Sequence, residues 1–200
     1  PLATSPIQTT ITLPFTPRHW SIPLMDTAER NLVGVVHRQG GKSTAVIWRA
    51  LRKALTHDRR HIAPGKRNLG FDPPRIVHVL PLQVTWKKTG LWDKVERAAD
   101  SIAGAKALKS EFRVTLPNGG VYQCGGMDKP DNWRGGYADE LIEDEADDVI
   151  ASGLAMVAVP MLLAYQGTRI KIGTPKGKGR LVKAYNAAPS HARFLLPWQA

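Results

Sequence analysis

Apolar residues in this chain gather into short, nearly unbroken runs separated by amphipathic or irregular stretches. Leu32, Val33, Val35 and Val36 form the first run, which stops at His37. Behind it, Ile47, Ala50, Leu51, Ala54 and Leu55 recur at i, i+3, i+4, i+7 and i+8, the spacing that places residues on one side of a helix. Residues 76–80 make a second run, ended by Pro81. Residues 112–116 and 121–124 flank Pro117-Asn118-Gly119-Gly120, a good hairpin turn because Asn and Gly accept positive φ. Two more strands are expected, one ending at Asp144 and Glu145 and one over 169–173, with the apolar stretch 149–165 as a buried helix between them. A further strand is expected just before residues 194–200. Strands apolar on both sides must be covered on both faces. Their alternation with helices predicts an α/β fold, a mainly parallel central sheet with helices on both faces and an antiparallel hairpin at its edge. The first thirty residues, rich in Pro and Thr, read as a wrap around that sheet. One domain over 1–200 is expected, with the wrap at 1–30 and the core at 31–200.

Chemistry enters where the first run ends. His37-Arg38-Gln39-Gly40-Gly41-Lys42-Ser43-Thr44 joins the strand to the helix and reads as a phosphate cradle. Gly40 and Gly41 let backbone amides approach an anion, Lys42 adds a charge for the outer phosphates, and Ser43 offers a hydroxyl to magnesium at the helix start. A strict GxxxxGK[ST] has glycine where this chain has Val36. About a hundred residues on, Asp144 and Glu145 close an acidic strand, the place where such a site needs two carboxylates. Asp144 would hold magnesium, and Glu145 would orient and deprotonate the attacking water. The rival pair Asp139-Glu140 follows Gly-Gly-Tyr-Ala and so would not end a buried strand. Glu143, inside a strand that should be apolar, must face the wet end or be paired. Thr174, followed by Pro175 after the strand 169–173, is placed to sense the γ-phosphate. Together these elements predict a P-loop NTPase of the ASCE type using ATP and Mg2+.

Charge and cysteine content narrow the setting. The chain carries 28 Lys and Arg against 17 acids, a net charge of +11. Seven of those acids fall between Asp139 and Asp148, so elsewhere the surface is strongly basic and a polyanion is its natural partner. No recognition-helix pattern appears, which favours phosphate contacts over base reading. Arg59, Arg60, Lys66, Arg67 and Arg75 lie in or beside an irregular connection that is either a DNA-facing loop or a solvated linker. Lys87, Lys88, Lys176, Lys178 and Arg180 are further candidates. Cys124 is the only cysteine, which fits a reducing compartment. Residues 149–165 are interrupted by Ser152, Gly153 and Pro160 and flanked by acids, and no membrane span is expected. His57 and His61 lack the cysteine or carboxylate company of a metal site.

Five segments in order, HRQGGKS, PRIVHVLPLQVTW, RVTLPNGGVYQCGG, WRGGYADELIEDEA and IKIGTPKG, resemble the ATPase domain of tailed-phage large terminase subunits, over nearly the whole chain. The resemblance implies an ATP-driven motor that translocates double-stranded DNA into a procapsid without reading its sequence. It implies a homo-oligomeric ring on the portal, a small terminase subunit as partner, and the host bacterial cytoplasm as the setting. Arg38 is similar to a loop arginine that contacts or senses the γ-phosphate, and Asp144 and Glu145 to the metal-holding and catalytic acids. Thr174 falls in the motif that couples hydrolysis to movement. Arg134 resembles an arginine finger reaching a neighbour's ATP; a surface arginine steadying its own turn is the alternative. The adenine-contacting segment is represented by Phe15, Pro17, Arg18 and Trp20, with Ser21 where a glutamine is expected. Arg18 or Trp20 would stack on the base, or Trp20 is instead buried against the sheet. Relatives carry a nuclease domain after the motor; no aspartate cluster of that kind is visible here, so ATP hydrolysis without DNA cutting is expected. Two other readings stay open, a helicase-like translocase and a nonenzymatic DNA-binding protein with a decayed phosphate loop.

Overall fold

A computed structural model describes residues 16–57 and 72–196. One eight-stranded sheet runs β3-β4-β5-β2-β6-β7-β1-β8. Its six parallel strands are β5 (Val121–Gly126), β2 (Arg75–Leu80), β6 (Glu140–Asp144), β7 (Thr168–Gly173), β1 (Asn31–Val36) and β8 (Arg193–Leu196). The short strands β3 (Lys106–Leu108) and β4 (Arg113–Thr115) add an antiparallel edge beside β5. β7 lies between β1 and β6, so the strand ending at Thr174 separates the phosphate-loop strand from the acidic one.

Alternation along each strand sorts the side chains into two buried layers. Leu32, Val36, Ile76, Leu80, Ile142, Ile170 and Ile172 face one way and pack with α1 (Ser21–Asp26), α2 (Lys42–Thr56), α3 (Thr85–Lys88) and α4 (Leu91–Asp100). On the opposite face Val77, Val79 and Leu141 meet the segment 154–162, while Val33 and Val35 meet α6 (Arg180–Ala187). The face of α2 expected from spacing is the buried one, with Leu55 only partly covered.

Residues 149–165 do not form one regular helix. They break into α5 (Ala151–Gly153), a π turn (Leu154–Ala158) and a 3-10 turn (Pro160–Leu162). Val159 N donates to Leu154 O at 2.8 Å, the five-residue step of a π turn. Pro160, which has no N–H to give, follows at once. Among the described residues no helix is long and apolar enough to cross a membrane. In the hairpin turn only Gly119 takes positive φ, at 82°. Asn118 instead spends its amide on the end of α2, donating to Ala54 O at 3.0 Å and Leu55 O at 2.8 Å. Carbonyls of a last helical turn lack partners of their own, and this side chain supplies one.

The carboxylates at 139, 140 and 143 each have a basic partner. Glu140, at the amino end of β6, is fully buried and receives Arg49 Nη2 at 2.8 Å and Lys53 Nζ at 2.9 Å from α2. Asp139 accepts Arg75 N at 2.8 Å and lies 3.2 Å from His57 Nε2. This pair therefore closes the end of the sheet away from the phosphate loop. Glu143 points to the opposite face, where it is ion-paired with Arg169 of β7.

Candidate nucleotide site

The connection after β1 is shaped by three residues in sequence. Gln39 and Gly41 adopt left-handed φ of 62° and 83°, and Gly40 between them is packed onto the strand end. A β-carbon at position 40 would lie 2.5 Å from Val36 Cγ1 and 2.9 Å from His37 O. Val36 itself pairs with Leu196 of β8 as ordinary strand, so the backbone there has no need of glycine. α2 then begins at Lys42, with Gly41 as its left-handed cap. The first amides of a helix have no intrahelical acceptor, and with the turned loop before them they make an anion-binding concavity.

Lys42 brings the three distant motifs together. Its Nζ is 2.7 Å from Glu145 Oε1, at the end of β6, and donates to Thr174 Oγ1, at the end of β7, across 3.2 Å. Asp144 is 1% exposed, and its Oδ1 accepts the Glu145 N–H at 3.0 Å. Glu145 itself is partly exposed and sits at φ 54°, a conformation that costs a side-chain-bearing residue on the order of 1–2 kcal/mol. That turn at the carboxyl end of the strand brings the Glu145 carboxylate onto the Lys42 ammonium. The Ser43 hydroxyl on the first turn of α2 and the Asp144 carboxylate are hard oxygen donors. Beside them lies the amide concavity, whose closure a β-carbon at Gly40 would prevent. The donor set thus fits a magnesium ion carried by a polyphosphate.

Other expected residues surround this core unevenly. Arg38 and Gln39 are exposed at the rim, and Thr44 is half-buried in the first turn of α2. Trp20 takes the buried alternative: its ring is 8% exposed and its Nε1 donates to Gly40 O at 3.0 Å, so it braces the loop from beneath. Arg18 stays exposed and crosses Gly41, its Nε 3.3 Å from where a β-carbon would stand. Ser21 is buried at the start of α1 and donates to Arg18 O at 2.7 Å. Phe15 lies outside the described residues, as do Arg59, Arg60, His61, Lys66 and Arg67. Arg134 is not in the cluster. It is exposed after the 3-10 turn Pro130–Trp133, whose Trp133 packs on Gly125 of β5, and it pairs with Asp131.

Several contributors carried no motif. The turn after β6 and the loop after β7 are tied together: Leu181 N donates to Asp147 Oδ1 at 2.6 Å, Arg180 reaches Ala146 O and Val149 O, and Lys176 meets Asp148. Arg180 is thereby occupied inside the fold, and Arg75 is half-buried, its guanidinium 5.9 Å from the Tyr137 ring. Burial lowers the Arg75 pKa. Lys87, Lys88 and Lys178 remain exposed. A histidine inside the apolar run of β2, His78, is the one sequence signal that marks a buried polar neighbour of Asp144.

The sheet order and the junction of three motifs at its carboxyl edge define an α/β fold of the P-loop NTPase class. Solved structures that share this fold include ATPase domains of phage large terminases. The large terminase ATPase domain of Thermus phage P74-26 matches with a TM-score of 0.63 and 21% identity, over 86% of this chain and 70% of that one. The large terminase of bacteriophage HK97 matches at 0.57 and 10% identity, over 82% and 33%. That of a further, thermophilic bacteriophage matches at 0.59 and 9% identity, over 78% and 38%. At these identities the likeness is one of fold. No family model matches the chain, and no curated protein sequence matches it.

Proposed function

We propose that this chain is the ATP-hydrolysing motor domain of a viral large terminase, driving double-stranded DNA into a procapsid from a homo-oligomeric ring on the portal, with a small terminase subunit as partner, in the host bacterial cytoplasm. The observation that carries this reading is the Lys42 ammonium in contact with both Glu145 and Thr174. The terminase fold supports the motor assignment. Structures of the thermophilic phage's large terminase in complex with ADP and with ATP-gamma-S support a nucleotide as ligand. Charge outside the acidic strand supports DNA as the polymer.

The nucleotide with magnesium supplies the bond to be broken and part of the charge that must be neutralised. Lys42 and the amides of residues 41–44 would bind the phosphates, and Ser43 and Asp144 would hold the metal. Glu145, once Lys42 turns to a phosphate, is free to orient a water and take its proton. Thr174 reads the presence of the outer phosphate, and Arg38 closes on it from the rim. Arg134, which follows the turn packed on β5 and not its own phosphate loop, would serve as the finger that reaches a neighbouring subunit's nucleotide once it leaves Asp131. Arg18 is the remaining contact for the base.

ATP binding and turnover in wild type, Lys42→Ala and Glu145→Gln, with and without DNA and portal-bearing procapsids, test this. Lys42→Ala should lose nucleotide binding. Glu145→Gln should bind ATP but turn over about 10²–10⁴-fold more slowly. Unchanged turnover in Glu145→Gln refutes its role, and a wild-type protein that binds DNA but no nucleotide refutes the motor.

A further inference from the structure

Beneath α2, α3 and α4 a row of polar side chains crosses an otherwise apolar layer. Tyr122 and Cys124 of β5 and His78 of β2 are each at most 2% exposed. His78 Nδ1 lies 2.6 Å from the Tyr122 hydroxyl, and the Cys124 thiol follows two residues on along β5. Trp86 closes the row edge-on, 4.8 Å from the imidazole. At the other end, His78 Nε2 has no hydrogen-bond partner among the described residues and faces Asp144 Oδ2 at 3.6 Å. That is longer than a hydrogen bond, although contacts of this kind commonly tighten when a site is loaded.

Packing alone does not call for this row. A buried imidazole with an idle nitrogen is costly where leucine would fill the space. Burial pushes the Tyr122 hydroxyl well above its ordinary value and the Cys124 thiol up as well, so both keep their protons. A carboxylate oxygen can only accept, so the nitrogen facing Asp144 Oδ2 is the one that carries the ring proton, and Nδ1 accepts from the Tyr122 hydroxyl. Oδ1 of Asp144 is engaged by the Glu145 amide, so Oδ2 is the oxygen without a hydrogen bond from that turn.

We infer that His78 is a positioning residue for Asp144: its Nε2–H steadies Oδ2 and fixes the plane of the carboxylate toward the cation, with Tyr122 locking the ring. This rests on Asp144 holding the metal. The test is Mn2+ binding to the protein–ADP complex, followed by electron paramagnetic resonance, with ADP affinity in EDTA and thermal unfolding measured alongside. His78→Leu should weaken Mn2+ about tenfold or more while ADP binding in EDTA stays unchanged. His78→Gln, whose amide N–H reaches the same place, should recover most of that loss. Tyr122→Phe keeps the ring volume and should weaken Mn2+ several-fold, which decides the matter if His78→Leu does not fold. Unchanged Mn2+ affinity in either His78→Leu or Tyr122→Phe, or a His78→Gln as weak as His78→Leu, overturns the inference. Asp144→Asn separates the two failures. If it weakens Mn2+ and His78→Leu does not, only the inference falls; if neither does, the assignment of the metal to Asp144 falls and takes the inference with it.

Discussion

At position 40 a single β-carbon decides whether the phosphate loop can settle on its strand. The nearest atoms to that carbon would be Val36 Cγ1 at 2.5 Å and His37 O at 2.9 Å, distances that force one of them to move. Gly40→Ala should therefore abolish nucleotide binding with little change in the unfolding midpoint, because the strain falls on the loop and not on the core. Shortening the opposing side chain in Gly40→Ala/Val36→Ala should recover part of the affinity, the part owed to Cγ1, in a fluorescent-nucleotide titration. The same pair shows what a motif string hides. Valine at position 36 departs from the strict pattern, yet the left-handed turns fall at Gln39 and Gly41, so the loop closes without glycine there. Trp20 is ambiguous in the sequence for a related reason: an aromatic ring suits a base or a core equally, and only the hydrogen bond to Gly40 O decides.

α2 works at both of its ends. Lys42 opens it at the nucleotide site, and two and three turns later Arg49 and Lys53 clamp Glu140 at the other end of the sheet. Burial by itself would raise the Glu140 carboxyl, but the two cations outweigh it and hold it at about 2, against an ordinary 4.5. The unfolded chain thus takes up the proton first. The clamp contributes about 3 kcal/mol at neutral pH, and this is lost as pH falls from about 4.5 through 2. Arg49→Met should cost about 3–5 kcal/mol in urea unfolding at pH 7, since it leaves a buried carboxylate short of a partner, and the deficit should shrink below pH 3. Choosing between the two acidic pairs is possible from sequence because only Asp144-Glu145 follows an apolar run. The partners of Glu140 and Glu143 are not readable there, as they come from helix and strand positions 91 and 26 residues away. The segment 149–165 is legible as apolar, but only one side of it is covered, Met156 and Leu163 being 67% and 75% exposed, and its π turn depends on local backbone geometry that hydropathy does not carry.

The whole molecule presents its spare positive charge selectively. Of the basic candidates, Arg180 is spent inside the fold and Arg75 is half-buried, whereas Lys87, Lys88 and Lys178 stand exposed beyond the carboxyl ends of the strands. Affinity for double-stranded DNA should fall steeply with salt and be indifferent to sequence. Lys87→Ala and Lys88→Ala should each lower the slope of log K against log salt by about 1 if they meet phosphates, whereas Arg180→Ala should not, as read by fluorescence anisotropy. Sheet type and the meeting point of the motifs are implied by the alternation of runs, since parallel strands must end at a shared edge; the strand order, with β7 between β1 and β6, is not. The cross-links between loops are not, because they use main-chain atoms that no residue name records. Those cross-links have a mechanical meaning. With Asp147 and Arg180 stitching the turn after β6 to the root of α6, the loop that carries Thr174 is fastened at its far end to the turn that carries Glu145. Under the proposed motor, a displacement of one would therefore have to be shared by the other.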